Sequence, residues 1–75
     1  MYEPIPILLQ NSFQIAWDFL DRSGEIADAD EASHFLLSVI NVLLLKGERR
    51  VLMLSNKSIS AYKKFKAERR VDAAA

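Results

Sequence analysis

Apolar residues recur at spacings of three and four in three stretches of the chain, with polar or turn-forming residues between them. In the first stretch Leu9, Phe13, Ala16, Trp17 and Leu20 fall on one helical face. Pro6 suits a first helical turn, where its missing N–H costs nothing, and Ser23-Gly24 supplies the C-terminal stop. In the second stretch Asp28 or Asp30 can cap free N–H groups, and Glu31 lies three residues after Asp28, as in a capping box. In the third, Val51, Leu54, Ser58, Tyr62 and Phe65 share a face, with Leu52 and Ile59 at its edge. Helices are therefore expected over about 6–22, 30–46 and 48–70, with residues 71–75 frayed. This is an all-α chain, a three-helix bundle or helical hairpin, forming one small domain over 1–75 without internal repeat. Gly47 reads either as a turn or as a kink in one long helix, since a lone glycine costs only about 1 kcal/mol against alanine.

The middle helix is apolar over an unusually wide arc. Nine of the eleven residues from Phe35 to Leu45 are apolar, and Glu31, His34, Ser38, Asn41 and Leu45 form a narrow stripe opposite them. At about 100° per residue the apolar arc covers roughly 220°, against about 100° for an ordinary surface helix. The first helix also carries apolar residues on a second side, Ile5, Leu8, Ile15 and Phe19. Phe35, Val39, Val42 and Leu43 can face the other two helices. Leu37, Ile40 and Leu44 then form a separate line at helix-packing spacing. An exposed patch of that kind usually marks an interface, and a symmetric homodimer is the commonest assembly. The expected architecture is thus completed by homodimerisation through Leu37, Ile40 and Leu44.

Composition strengthens that expectation. A 75-residue chain buries only about 60% of its unfolded surface, and small domains usually add disulfides, a metal or a second subunit. Cysteine is absent and His34 is the sole histidine, which leaves association as the remaining device. The 51% hydrophobic content argues against disorder. The eleven-residue apolar run is too short for a membrane span, which takes about 20 residues. "MYEPIPILLQ" has an acid where a secretory signal carries Lys or Arg, so a cytoplasmic location is expected.

Net charge is zero, yet the charges are segregated. Residues 1–45 hold one base against seven acids, and residues 46–75 hold nine bases against three, giving halves of −6 and +6. Arg50, Lys57 and Lys64 recur every seven residues on the third helix, with Arg49, Lys63 and Met53 adjoining. Such a basic face could track phosphates by releasing counterions, or be a solvated face balanced by acidic neighbours. The overall pI of about 6.6 and the absence of an aromatic or Gly-rich element in the stripe favour the second.

Three local patterns bear on chemistry. "ERRVLML" followed by "SNKSIS" resembles part of the helix-turn-helix of quorum-sensing transcriptional regulators, which implies a recognition helix after a turn. Only fifteen residues follow Ser60, without a turn signal, so that helix has no room. "DRSGEIADAD" resembles part of a calcium-binding EF-hand loop, with Asp21, Ser23, Gly24, Ile26 and Asp30 at matching spacings. Phe19 stands where its first acidic ligand belongs and Asp30 replaces the bidentate Glu, so too few oxygens are offered. Asp30 and Glu31 precede His34 by four and three residues, but capping and a polar stripe account for them without catalysis. Ser12, Ser55, Ser58 and Ser60 have no histidine within one turn to activate them, and Ser38 belongs with His34 to the polar stripe. Trp17 and Tyr62 sit on apolar faces, as core residues do.

The expected function is that of a small homodimeric interaction or adaptor protein, without catalysis, metal or cofactor, that meets an acidic protein partner. The alternative is a nucleic-acid-associated accessory protein using Arg49, Arg50, Lys57, Lys63 and Lys64.

Overall fold

The computed structural model describes the backbone of residues 4–74 and the side chains of residues 4–68. Three helices follow one another, α1 (Ile5–Arg22), α2 (Ala29–Leu45) and α3 (Val51–Ala74), and each packs against the other two. The described residues contain no strand. Helix α3 runs on to Ala74, past the end near residue 70 expected from the sequence, and residue 75 lies outside the described backbone.

Both connectors are built alike. Gly24 adopts φ +72° and Gly47 φ +103°, backbone that only glycine takes without a Cβ penalty. The Gly24 N–H donates to the Asp21 carbonyl and the Glu25 N–H to that of Leu20, both at 3.0 Å. Gly47 and Glu48 repeat the pattern onto Leu44 and Leu43. These paired bonds satisfy carbonyls that the helix ends leave open. Gly47 is therefore a turn, not a kink, and α3 starts at Val51, not at Glu48. Asp28 is the N-cap of α2, its carboxylate accepting from the Glu31 N–H at 3.1 Å.

The core is two clusters stacked along the bundle. At the α1–α2 connector end, Ala16, Leu20, Ala32, Leu36 and Tyr62 are buried, with Phe35 stacked on Phe65 at 4.5 Å beside them. At the other end Leu8, Ile40, Leu44 and Leu54 are buried, flanked by Leu9, Phe13, Leu43 and Val51. Ser12, Ser55 and Ser58 are buried as well, and each hydroxyl donates to a carbonyl three or four residues back, so no polar group is stranded. Small Ser and Ala side chains at these positions allow close helix approach.

The packing corrects the expected phase of α2. Its buried line is Ala32, Leu36, Ile40 and Leu44, spaced by four. Ile40 is 0% exposed and Leu44 3%, inside the chain's own core, so neither is free to meet a second subunit. Leu37 alone of the expected interface trio is exposed, at 37%, and Val42, expected to face inward, is exposed too. The error has a physical origin. An arc of roughly 220° has no marked centre, and Ala32, small and outside the apolar run, is what fixes it. Leu8 likewise turns inward while Ile5, Ile15 and Phe19 stay exposed. Among the described residues, half of the exposed large apolar side chains therefore lie on α1.

Candidate functional site

The α2–α3 turn gathers charge around one carboxylate. Glu48 follows Gly47, and its Oε2 accepts from the Arg49 N–H at 3.1 Å, the Arg50 N–H at 3.2 Å and Arg50 Nε at 3.2 Å. Lys57 Nζ, nearly two helix turns into α3, stands 3.6 Å from Oε1. These donors, the Arg50 side chain foremost, lower the Glu48 carboxyl from 4.5 to about 2. Arg49 turns the other way and donates from Nη1 to the Leu44 carbonyl at 2.7 Å and to that of Glu48 at 2.9 Å. It thereby caps the negative end of α2, which carries no base in its own last turn.

A depression of about 510 Å³ opens at this turn, lined by Leu43, Lys46, Gly47, Glu48, Arg49, Arg50 and Lys57. It continues into a groove between α2 and α3 floored by Val39, Val42, Leu43 and Ala61, with Lys46 and Lys57 shared by both. Four bases here face one acid, leaving three uncompensated positive charges. Lys46 forms no ion pair among the described residues. No charged residue occurs in α1 before Asp18, so α1 brings nothing to offset this end. Leu45, 82% exposed, and Leu52, 68% exposed, flank the turn in the sequence.

The basic residues expected to form one face have separate attachments. Arg50 and Lys57 converge on Glu48, Arg49 caps α2, and Lys63 stands 3.8 Å from Glu25 with its ammonium 5.0 Å over the Phe19 ring. Lys64 is exposed. Lys66, not singled out in the sequence, pairs with Glu31 at 3.2 Å. The structure thus brings Arg49, Arg50 and Lys57 together and leaves Lys63 and Lys64 further along α3. Sequence reasoning missed Glu48 as their organiser. A carboxylate directly after a glycine stop and before a helix was the available signal.

The other motifs resolve into local structure. Helix α3 passes through Ser60 without a turn, so no helix-turn-helix is formed. In "DRSGEIADAD", Ser23 donates to the Phe19 carbonyl and Ile26 packs on the core. Among the described residues no three His, Asp or Glu side chains are grouped to hold a metal ion. His34 is exposed. Tyr62 is buried, donates to the Glu25 carbonyl at 3.3 Å, and has its phenol pushed above 10 by desolvation. Among the described residues no helix is long and apolar enough to cross a membrane. No family model, curated protein or solved structure matches this chain.

Proposed function

We propose that the protein is a small interaction module that works by docking a helical, acidic segment of a protein into the α2–α3 groove, with no catalysis of its own. The single observation behind this is the continuity of the two surfaces. An apolar floor of Val39, Val42, Leu43 and Ala61 runs directly into a basic end, sharing Lys46 and Lys57 with it. An amphipathic helix needs both features, an apolar strip for its buried side chains and cations for its flanking carboxylates. The groove spans Ser38 to Lys46 along α2, roughly 12 Å at 1.5 Å per residue, enough for about two helical turns. A phosphate backbone is a poorer match, because the basic stripe is interrupted further along α3, where Lys63 and Lys66 pair with Glu25 and Glu31. The cytoplasmic location belongs to the same proposal; the absence of cysteine supports it.

The test is fluorescence anisotropy with a labelled helical peptide carrying leucines at i and i+4 and glutamates beside them. Binding that weakens with salt and is lost on combined Lys46→Glu and Lys57→Glu substitution is the expected result. Unchanged binding by that variant would remove the groove from the account. Tighter salt-dependent binding of mixed DNA or RNA in a gel shift would instead support the nucleic-acid alternative.

A further inference from the structure

Resting on the groove as a docking surface, we infer that its occupant is α1 of a second copy of this chain, and that copies add in an open series instead of closing as a dimer.

The surfaces left over by folding are complementary. Among the described residues, helix α1 carries four of the eight exposed large apolar side chains, Ile5, Ile7, Ile15 and Phe19. Ile7, Asn11, Ile15 and Asp18 follow one another at spacings of four, four and three, a single stripe on its outer side. Ile15, Asp18, Phe19, Arg22 and Ser23 line one shallow depression, so the stripe carries one cation at its C-terminal end beside Asp18 and Asp21. The acids at this end exceed what the fold consumes. Glu25 and Glu31 are taken by Lys63 and Lys66 and Asp28 caps α2, while Asp18, Asp21 and Asp30 are exposed, form no ion pair among the described residues and outnumber the one base of the α1 end, Arg22. The groove presents the counterpart, aliphatic side chains beside three uncompensated positive charges.

Laid in the groove with its C-terminus toward the α2–α3 turn, an incoming α1 puts Ile15 over Val39 and Val42. Asp18 and Asp21 then come to Lys46 and Lys57. The spacings agree: Ile15 to Asp18 is three residues and Val42 to Lys46 is four, about 4.5 and 6 Å of helix rise. The reverse orientation would set those carboxylates against the apolar end of the groove.

Geometry then decides the type of assembly. Because α1 packs on both α2 and α3, the outer seam between α2 and α3 faces away from it. The donor helix and the accepting groove lie on opposite sides of one molecule. A twofold pair cannot engage both at once, so each copy accepts one neighbour and donates to another. Such heterologous contacts either close a ring or propagate. Propagation is what is inferred, so a mass that levels off at any closed ring also overturns it.

The experiment is sedimentation velocity from micromolar to millimolar concentration, with circular dichroism confirming that each variant is folded. The wild-type mass is expected to rise steadily from the 8.5 kDa of one chain, past two chains, without a plateau. Lys46→Glu/Lys57→Glu, which disables the groove, and Ile15→Asp, which puts a carboxylate over the Val39 and Val42 floor and so disables the donor helix, should each remain single. Mixed in equal amounts, they retain one intact groove and one intact α1 between them, and should stop at a pair. A wild type that stays single, or one that plateaus at two, overturns the inference, as does a mixture that fails to associate. If the acidic peptide binds the groove while the wild-type chain stays single, self-association fails and the groove survives as a docking site. If both fail, both are wrong.

Discussion

The two connectors of this bundle share a backbone plan and differ in what they do with charge. Each ends a helix on a left-handed glycine with the same pair of hydrogen bonds. At the α1–α2 connector much of the charge is spent on the fold: Asp28 caps α2, Glu25 meets Lys63, and Glu31 meets Lys66. At the α2–α3 connector Glu48 and Arg49 do the structural work, while Lys46, Arg50 and Lys57 keep a positive surplus toward the groove. Equal and opposite charge in the two halves of a sequence thus does not mean equal availability at the surface. The acidic end gives Glu25, Glu31 and Asp28 to the fold and still displays Asp18, Asp21 and Asp30, whereas the bases of the other end are gathered around one turn.

The strongest way to break this contrast is through the core beneath the basic end. Ile40→Ala is expected to cost about 2–5 kcal/mol in urea unfolding, because the site is sealed by Leu8, Leu44 and Leu54. The loss should be the same at low and high protein concentration. A midpoint that climbs with concentration would return Ile40 to a contact between subunits.

Next in size is a matched pair at the glycines. Gly24→Ala and Gly47→Ala each force an L side chain into positive φ, with an expected cost of about 1–2 kcal/mol. A Cβ at either position would meet nothing within 4 Å, so the cost is conformational and should be similar at both connectors. A much larger loss at Gly47 would mean that the basic turn holds the bundle together in a way the acidic one does not.

Asp28→Ala follows, at about 1 kcal/mol, the usual worth of a lost N-cap. Thermal unfolding measures it. No change would mean that a neighbour such as Asp30 replaces Asp28 as the cap.

The legibility of the chain in its sequence follows the same division. Features set by neighbours along the chain were readable: the helix count, the glycine stop after Arg22, the Asp28–Glu31 cap, and the buried face of α3 through Leu54, Ser58 and Tyr62. Features set by which way a helix turns in space were not. Helix α2 is apolar over too much of its circumference for periodicity to choose between the lines of Leu36–Ile40–Leu44 and Leu37–Ile40–Leu44, and the choice fell to Ala32 and the two neighbouring helices. The basic face was visible as a sevenfold spacing. Its division among Glu48, Glu25 and the Leu44 carbonyl depends on where the turn folds back, which spacing does not encode.

The finest discrimination between the connectors is in acid. The Glu48 carboxyl is held at about 2 in the folded chain against 4.5 for a free one, mainly by the Arg50 side chain. A folded value below the unfolded one favours the folded state wherever the carboxylate is ionised in both. The Glu48 contribution is therefore complete above pH 4.5 and fades as pH falls from there through about 2. Glu48→Gln keeps an acceptor for the Arg49 and Arg50 N–H groups but removes the titration, so it should change stability little in the acid range. Denaturation midpoints followed from pH 5 down to about 2 should converge for wild type and variant at the acid end, with wild type losing more on the way. Midpoints that run parallel across that range would mean that Glu48 does not gather Arg50 and Lys57, and the bases of the α2–α3 turn would then lack the anchor that keeps them beside the groove.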